Sequence, residues 1–166
     1  MRYTSGHSST GKTEGHMAIH ELSEEECRAL LARASMGRLG CSLDNQPYVV
    51  PIRFAYEPDY LYVFATFGKK IEWMRLNPKV CVEIDEIETI SQWISVIVDG
   101  YYQELSEPKY AAERSHAREL LEKQHQWWMN ALGERQLKSS KELLIDPLFF
   151  RVQIGSMTGL RALDAG

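Results

Sequence analysis

Lys69 and Lys70 are the residues of this 166-residue chain whose type and spacing point most directly to chemistry. They follow an apolar run ending at Phe67 and a glycine, Gly68, and they open a segment with the apolar spacing of a short helix. Backbone N–H groups in the first turn of a helix lack an intrahelical acceptor and carry partial positive charge. An anion seated there gains hydrogen bonds and dipole attraction, and two ammonium groups neutralise it, so a phosphate is the natural guest. Lysine serves such a guest as a point charge, without the planar fork of arginine. The same pattern also occurs in ordinary strand-to-helix connections with solvated lysines, so the spacing by itself leaves both readings open.

Other reactive side chains form no constellation. His116 and His125 lie on a charged helical stretch and read as surface residues. His16 and His20 have i,i+4 spacing but no helix pattern around them, and with His7 they fall in a Gly-, Ser-, Thr- and His-rich stretch; no metal site is expected. Residues 1–20 are expected to be a disordered leader or tag, with Gly15-His16-Met17 resembling a cloning scar, and residues 21–166 a single domain. Cys27, Cys41 and Cys81 are far apart, with no C-x-x-C, and are expected to be buried thiols in a cytoplasmic protein. No Ser/His/Asp or Cys/His arrangement stands out, so no side chain is assigned to acid–base catalysis.

Composition limits the partners. With 44% hydrophobic and 25% charged residues the chain has the profile of a folded globular protein. A net charge of −4 gives no global positive field for nucleic acid or anionic lipid, so an anion site must be local. The longest apolar runs fall well short of the roughly 20 residues that span a bilayer, and neither a nucleic-acid nor a membrane partner is expected.

The elements that must hold the lysines are legible from periodicity. Ser23 with Glu26 forms a capping box, and Cys27, Leu30, Leu31 and Ala34 recur on one helical face, with Gly37 placed to end the helix. From Arg38 the period becomes two, a turn falls at residues 44–47, and strands are predicted over residues 48–56 and 60–66. Pro51 removes a ladder donor, which predicts a bulge or an edge there and a place where a ligand can hydrogen-bond. A short helix over residues 68–76 points Ile71, Met74 and Trp73 inward and stops at Asn77-Pro78. Strands over 79–84 and 93–102 follow, the latter bending at Gly100, and a helical region over 108–132 packs Ala112, Leu120, Leu121 and Trp128 inward. A last strand over 148–154 continues past a break at 157–161. The fold expected is mainly β with added helices, a six-stranded antiparallel barrel that hides its own edges.

Five segments carry a resemblance: residues 47–56 (PYVVPIRFAY), 61–64 (LYVF), 68–70 (GKK), 77–81 (NPKVC) and 93–100 (WISVIVDG). In this order and spacing they resemble the FMN-binding split-barrel family related to pyridoxamine 5′-phosphate oxidase, and most nearly its 5-nitroimidazole-resistance branch. The likeness runs from about residue 21 to 161. It implies a homodimeric split β-barrel with FMN at the interface. Lys69 and Lys70 match the basic pair that holds the phosphate, with Thr66 near enough to offer a hydroxyl. Val50, Pro51 and Ile52 match the strand backbone that meets the ring edge, and Phe64 and Ala65 the strand end beside the ring. Ser95 matches a polar position reaching the flavin from the partner subunit, and Trp93 lies one same-face step before it, either at that contact or in the core.

Departures from the family pattern narrow the expectation. Val50 and Ala55 are apolar where the oxidase carries basic residues, and its closing Trp and Arg-x-His motif is absent, so pyridoxamine phosphate is not the expected substrate. Phe64 stands where many members of the resistance branch have histidine. The resemblance therefore implies an FMN-binding oxidoreductase passing electrons from a nicotinamide donor to a small acceptor, nitroaromatic compounds included; a bound flavin does that chemistry itself. A non-catalytic flavin carrier, or a barrel holding haem or a deazaflavin, are the alternatives, and the missing axial His or Cys disfavours haem.

Overall fold

Alternating apolar and polar residues are realised as antiparallel strands in the computed structural model, which describes residues 17–124 and 148–164. The order is β1 (Met17–Glu21), α1 (Glu24–Arg33), β2 (Met36–Leu43), β3 (Gln46–Glu57), β4 (Tyr60–Ala65), α2 (Lys69–Leu76), β5 (Lys79–Ile87), β6 (Trp93–Glu104), α3 (Ala111–Gln124) and β7 (Leu148–Asp164). Strands neighbour one another in the order β7-β4-β3-β2-β5-β6, and β6 pairs back onto β7, so six strands close the expected ring. β1 is a seventh, laid on residues 160–164 of β7. Among the described residues no helix is long and apolar enough to cross a membrane.

Local chemistry sets the element ends. The Ser23 amide donates to Glu26 Oε2 at 2.9 Å and the Glu26 amide donates to Ser23 Oγ at 3.2 Å, the reciprocal pair of a capping box. Cys27, Leu30 and Leu31 then seal the top of the ring. The β2–β3 hairpin turns on Asp44 (φ 48°) and Asn45 (φ 62°), both left-handed as a two-residue turn between twisted strands requires. Inside the ring Phe54, Leu61, Val82, Ile84, Val96 and Phe150 are buried, and a second cluster under α3 joins Ala55, Tyr62, Leu105, Ala117, Leu121 and Phe149.

Four expectations are corrected. Residues 17–20 are strand, not leader: the long β7 offers an edge beyond its contact with β4, and backbone pairing needs little side-chain apolarity. Residues 1–16, and Trp128 with the rest of 125–132, lie outside the described residues. Gly37 does not end α1, which closes at Arg33; it sits inside β2, where a Cβ would come within 2.8 Å of the Glu83 carbonyl oxygen on β5. Ala112 faces solvent and Ala117 takes the inward place one turn before Leu121, because α3 begins only at Ala111. β7 runs unbroken from Leu148 to Asp164, and the one register shift against β6 falls at Asp99/Gly100, the bend the sequence predicts.

Candidate functional site

The ring opens between β3 and β4. β3 pairs with β4 only over residues 54–57 against 60–63, while β3 continues back to Gln46 against β2 and β4 continues to Ala65 against β7. Past Phe54 and Val63 the two strands therefore part. Pro51 lies on this single-sided stretch of β3, opposite Arg38 of β2, so its missing N–H costs no ladder bond on the open side. The parted ends carry Val50, Pro51 and Ile52 on one side and Phe64, Ala65 and Thr66 on the other. Ile52 and Ala65 are buried, Val50 packs against the core, and Phe64 is half-buried with its ring 5.4 Å from that of Phe149.

α2 enters where β4 ends. Asn77 stops it: its amide donates to Trp73 O at 2.8 Å and its side chain donates to Ser42 O at 2.9 Å. At the other end the Gly68 carbonyl accepts from the amides of Ile71 (2.9 Å) and Glu72 (3.1 Å), and Gly68 has no side chain to cap the amides before them. Among the described residues the Lys69 and Lys70 N–H groups are thus left without an acceptor in the first turn. Ile71 and Met74 are fully buried, as expected, and anchor the helix to the barrel.

The two lysines are held differently. Lys69 Nζ lies 4.5 Å from the Tyr48 ring centroid and 4.4 Å from that of Trp73, between two aromatic faces. Lys70 is half-buried beside Cys41; burial lowers its proton affinity below that of an ordinary lysine. Among the described residues neither ammonium forms an ion pair with a carboxylate, so both charges are available to an anion. Burial also pushes the Cys41 thiol up, toward its neutral form.

Trp93 and Ser95 do not join this corner within one chain. They begin β6, which in the closed ring lies three strands from β3 and, through β7, two from β4; along β7 Ser95 sits opposite Leu160 and Phe64 opposite Phe149, roughly 36 Å of extended strand apart. Ser95 faces outward beside Asp85 and Leu160 and donates to Glu83 Oε1 at 3.4 Å. Its outer face also presents Val49, Pro51, Met36, Ile97 and Leu160, around an ion cluster in which Arg38 Nη1 meets Glu83 at 2.9 Å and Asp85 at 2.8 Å. Trp93 is half-buried in a small recess with Arg161 and Leu163.

Sequence reasoning missed Tyr48 as a partner of Lys69. The signal was available: Tyr48 shares the inward phase of β3 with Val50 and Ile52, which brings it toward the helix that plugs the barrel. It also missed a cleft of about 470 Å³ beside Phe67, lined by Arg75, Glu104, Leu105, Ser106, Glu107 and Arg114. No local motif marks this cleft, because its described walls, Leu148 among them, come from separated places in the chain.

Comparison with known proteins places the chain among relatives of this architecture. The pyridoxamine 5′-phosphate oxidase family model matches residues 23–161. An uncharacterized protein of Rhizobium meliloti is 42% identical over 151 residues, covering 90% of this chain and 99% of its own. The crystal structure of an FAD-binding protein from Mesorhizobium loti is 39% identical, with a TM-score of 0.72, over 90% of this chain and 100% of that one. A 5-nitroimidazole antibiotic resistance protein from Bacteroides thetaiotaomicron, described as putative, shares the fold at 19% identity and a TM-score of 0.62, over 95% of this chain and 100% of that one. Ring topology, the opened β3–β4 seam and these matches agree: the chain belongs to the pyridoxamine 5′-phosphate oxidase family.

Proposed function

We propose that this protein is an FMN-dependent oxidoreductase, working as a homodimer, that reduces a small acceptor such as a nitroaromatic compound with electrons from a nicotinamide nucleotide. One observation carries the reading: two lysines whose ammoniums have no carboxylate partner among the described residues, one of them half-buried, are carried on the uncapped first turn of α2 at the opened seam of the barrel. That is a dianion site by charge and by donor count. Family membership and the FAD-binding relative from Mesorhizobium loti support a flavin as the group whose phosphate fills it.

Lys69, Lys70 and the Thr66 hydroxyl would hold the phosphate. The backbone of Val50, Pro51 and Ile52, with Phe64 and Ala65 opposite, would border the ring. Ser95 and Trp93 would come from the second copy, since one chain keeps them strands away. A bound flavin supplies hydride acceptance and donation, and the chain contributes orientation, charge neutralisation and exclusion of water. No side-chain acid or base is needed at Phe64, whose role is a packing surface.

The test is the visible spectrum of freshly purified protein, followed by NADH oxidation with a panel of acceptors. Flavin maxima and acceptor-dependent turnover above the free-FMN rate are expected, with no oxidation of pyridoxamine 5′-phosphate. A flavin that is bound but not turned over would favour a carrier; a colourless protein that takes up no added FMN would remove the reading.

A further inference from the structure

We infer that the cleft beside Phe67 receives the adenosine end of a dinucleotide. The inference rests on the flavin reading, because the cleft begins one residue before Gly68 and so adjoins the phosphate corner: Phe67 and Lys69 are two residues apart, at most about 7 Å between Cα atoms. Its volume, about 470 Å³, lies within the range of small-ligand sites, roughly 300–1,000 Å³.

The lining selects a planar, neutral guest with donors on its edge. Phe67 is 59% exposed, an unusual position for an aromatic ring, and the Arg75 guanidinium lies 5.3 Å from its centroid, making a stacking platform. Arg75 is neutralised by Glu104 through two hydrogen bonds (2.8 and 2.7 Å), and Arg114 Nε lies 3.6 Å from Glu107. Among the described residues two cations and two carboxylates line the cleft and cancel, which disfavours a bare phosphate and favours a nucleoside. Glu104 accepts three hydrogen bonds, two from Arg75 and one from Tyr102 OH at 2.7 Å, and a carboxylate has about four acceptor positions, so one remains for an amino or hydroxyl donor. Adenine offers the flat face and the exocyclic amine, and ribose the hydroxyls. Two molecules could bring this group: FAD, through its own adenosine, or the nicotinamide dinucleotide donor.

Nucleotide-free full-length protein titrated calorimetrically with FMN and with FAD, and its KM for NADH at saturating FMN, test the inference in wild type, Phe67→Ala and Phe67→Trp. Phe67 is exposed enough for both variants to fold. If FAD is the source, Phe67→Ala weakens FAD roughly tenfold, the size of a lost base–aromatic stack, leaves FMN unchanged, and Phe67→Trp restores FAD. If the donor is the source, Phe67→Ala raises the NADH KM by a similar factor, and 5′-AMP competes with NADH in wild type but not in the variant. FMN binding with neither effect overturns the inference and spares the flavin reading. Failure of wild type to bind either flavin overturns both.

Discussion

The two lysines, adjacent in sequence, are set by their surroundings to different tasks. Lys69 is steered by two aromatic faces, which restricts a flexible side chain before any anion arrives. Lys70 is partly desolvated, so its charge acts through a less screening medium and gains more from a phosphate than a surface lysine does. A different residue-scale device ties Arg75, Glu104 and Tyr102 together at the far end of α2. Arg75 above all holds the Glu104 carboxyl below the usual carboxylate range. A carboxyl lowered by folding contributes stability at pH above its unfolded value, roughly 4.3, and loses it as pH falls toward the folded value. Glu104→Gln should therefore lower the urea midpoint at pH 6–7, with the gap to wild type closing as pH falls to 3. A gap of constant size would show that the glutamate acts by shape alone.

Helix α1 depends on its capping box more than on its length, for ten residues is too short to be stable alone. Ser23→Ala removes one acceptor and breaks the reciprocal pair, and should cost about 1 kcal/mol, read as a lower thermal midpoint in calorimetry. Elements of this kind were legible because their signals are local: Ser23 with Glu26, the alternation through Val80, Val82 and Ile84, the proline after Asn77. Gly37 was misread because a glycine two or three residues past a helix usually serves as its stop. Its actual reason is non-local, the approach of β5, and no window of sequence contains it. Strand β1 was hidden likewise, since its partner is the far end of the chain. At the site, Lys69, Lys70 and Thr66 were legible as neighbours in sequence, and that Val50–Ile52 border the same seam was implied only by the resemblance. The cleft at Phe67 is assembled from residues as far apart in the chain as Phe67 and Leu148 and leaves no local trace.

At the scale of the molecule, the outer face of β3, β2, β5, β6 and β7 is the unusual surface. Val49 (62% exposed), Met36, Ile97 and Leu160 share it with Pro51, and the Arg38–Glu83–Asp85 cluster sits among them as a polar key. Apolar groups around a central ion network suit the self-complementary interface of the proposed homodimer, in which Ser95 of one copy would reach the seam of the other. Light scattering should give twice the chain mass. Ile97→Asp with Leu160→Asp should give a monomer that has also lost affinity for FMN; a monomer that binds FMN as tightly as wild type would place the whole site within one chain. The claim on which all of this turns is a phosphate over the start of α2. It is tested most directly by titrating FMN and riboflavin, which differ only in that phosphate, into wild type and Lys69→Ala/Lys70→Ala. Wild type should prefer FMN, and the double variant should lose roughly tenfold or more in FMN affinity with little change for riboflavin. Equal loss for both ligands, or no preference in wild type, would contradict the account.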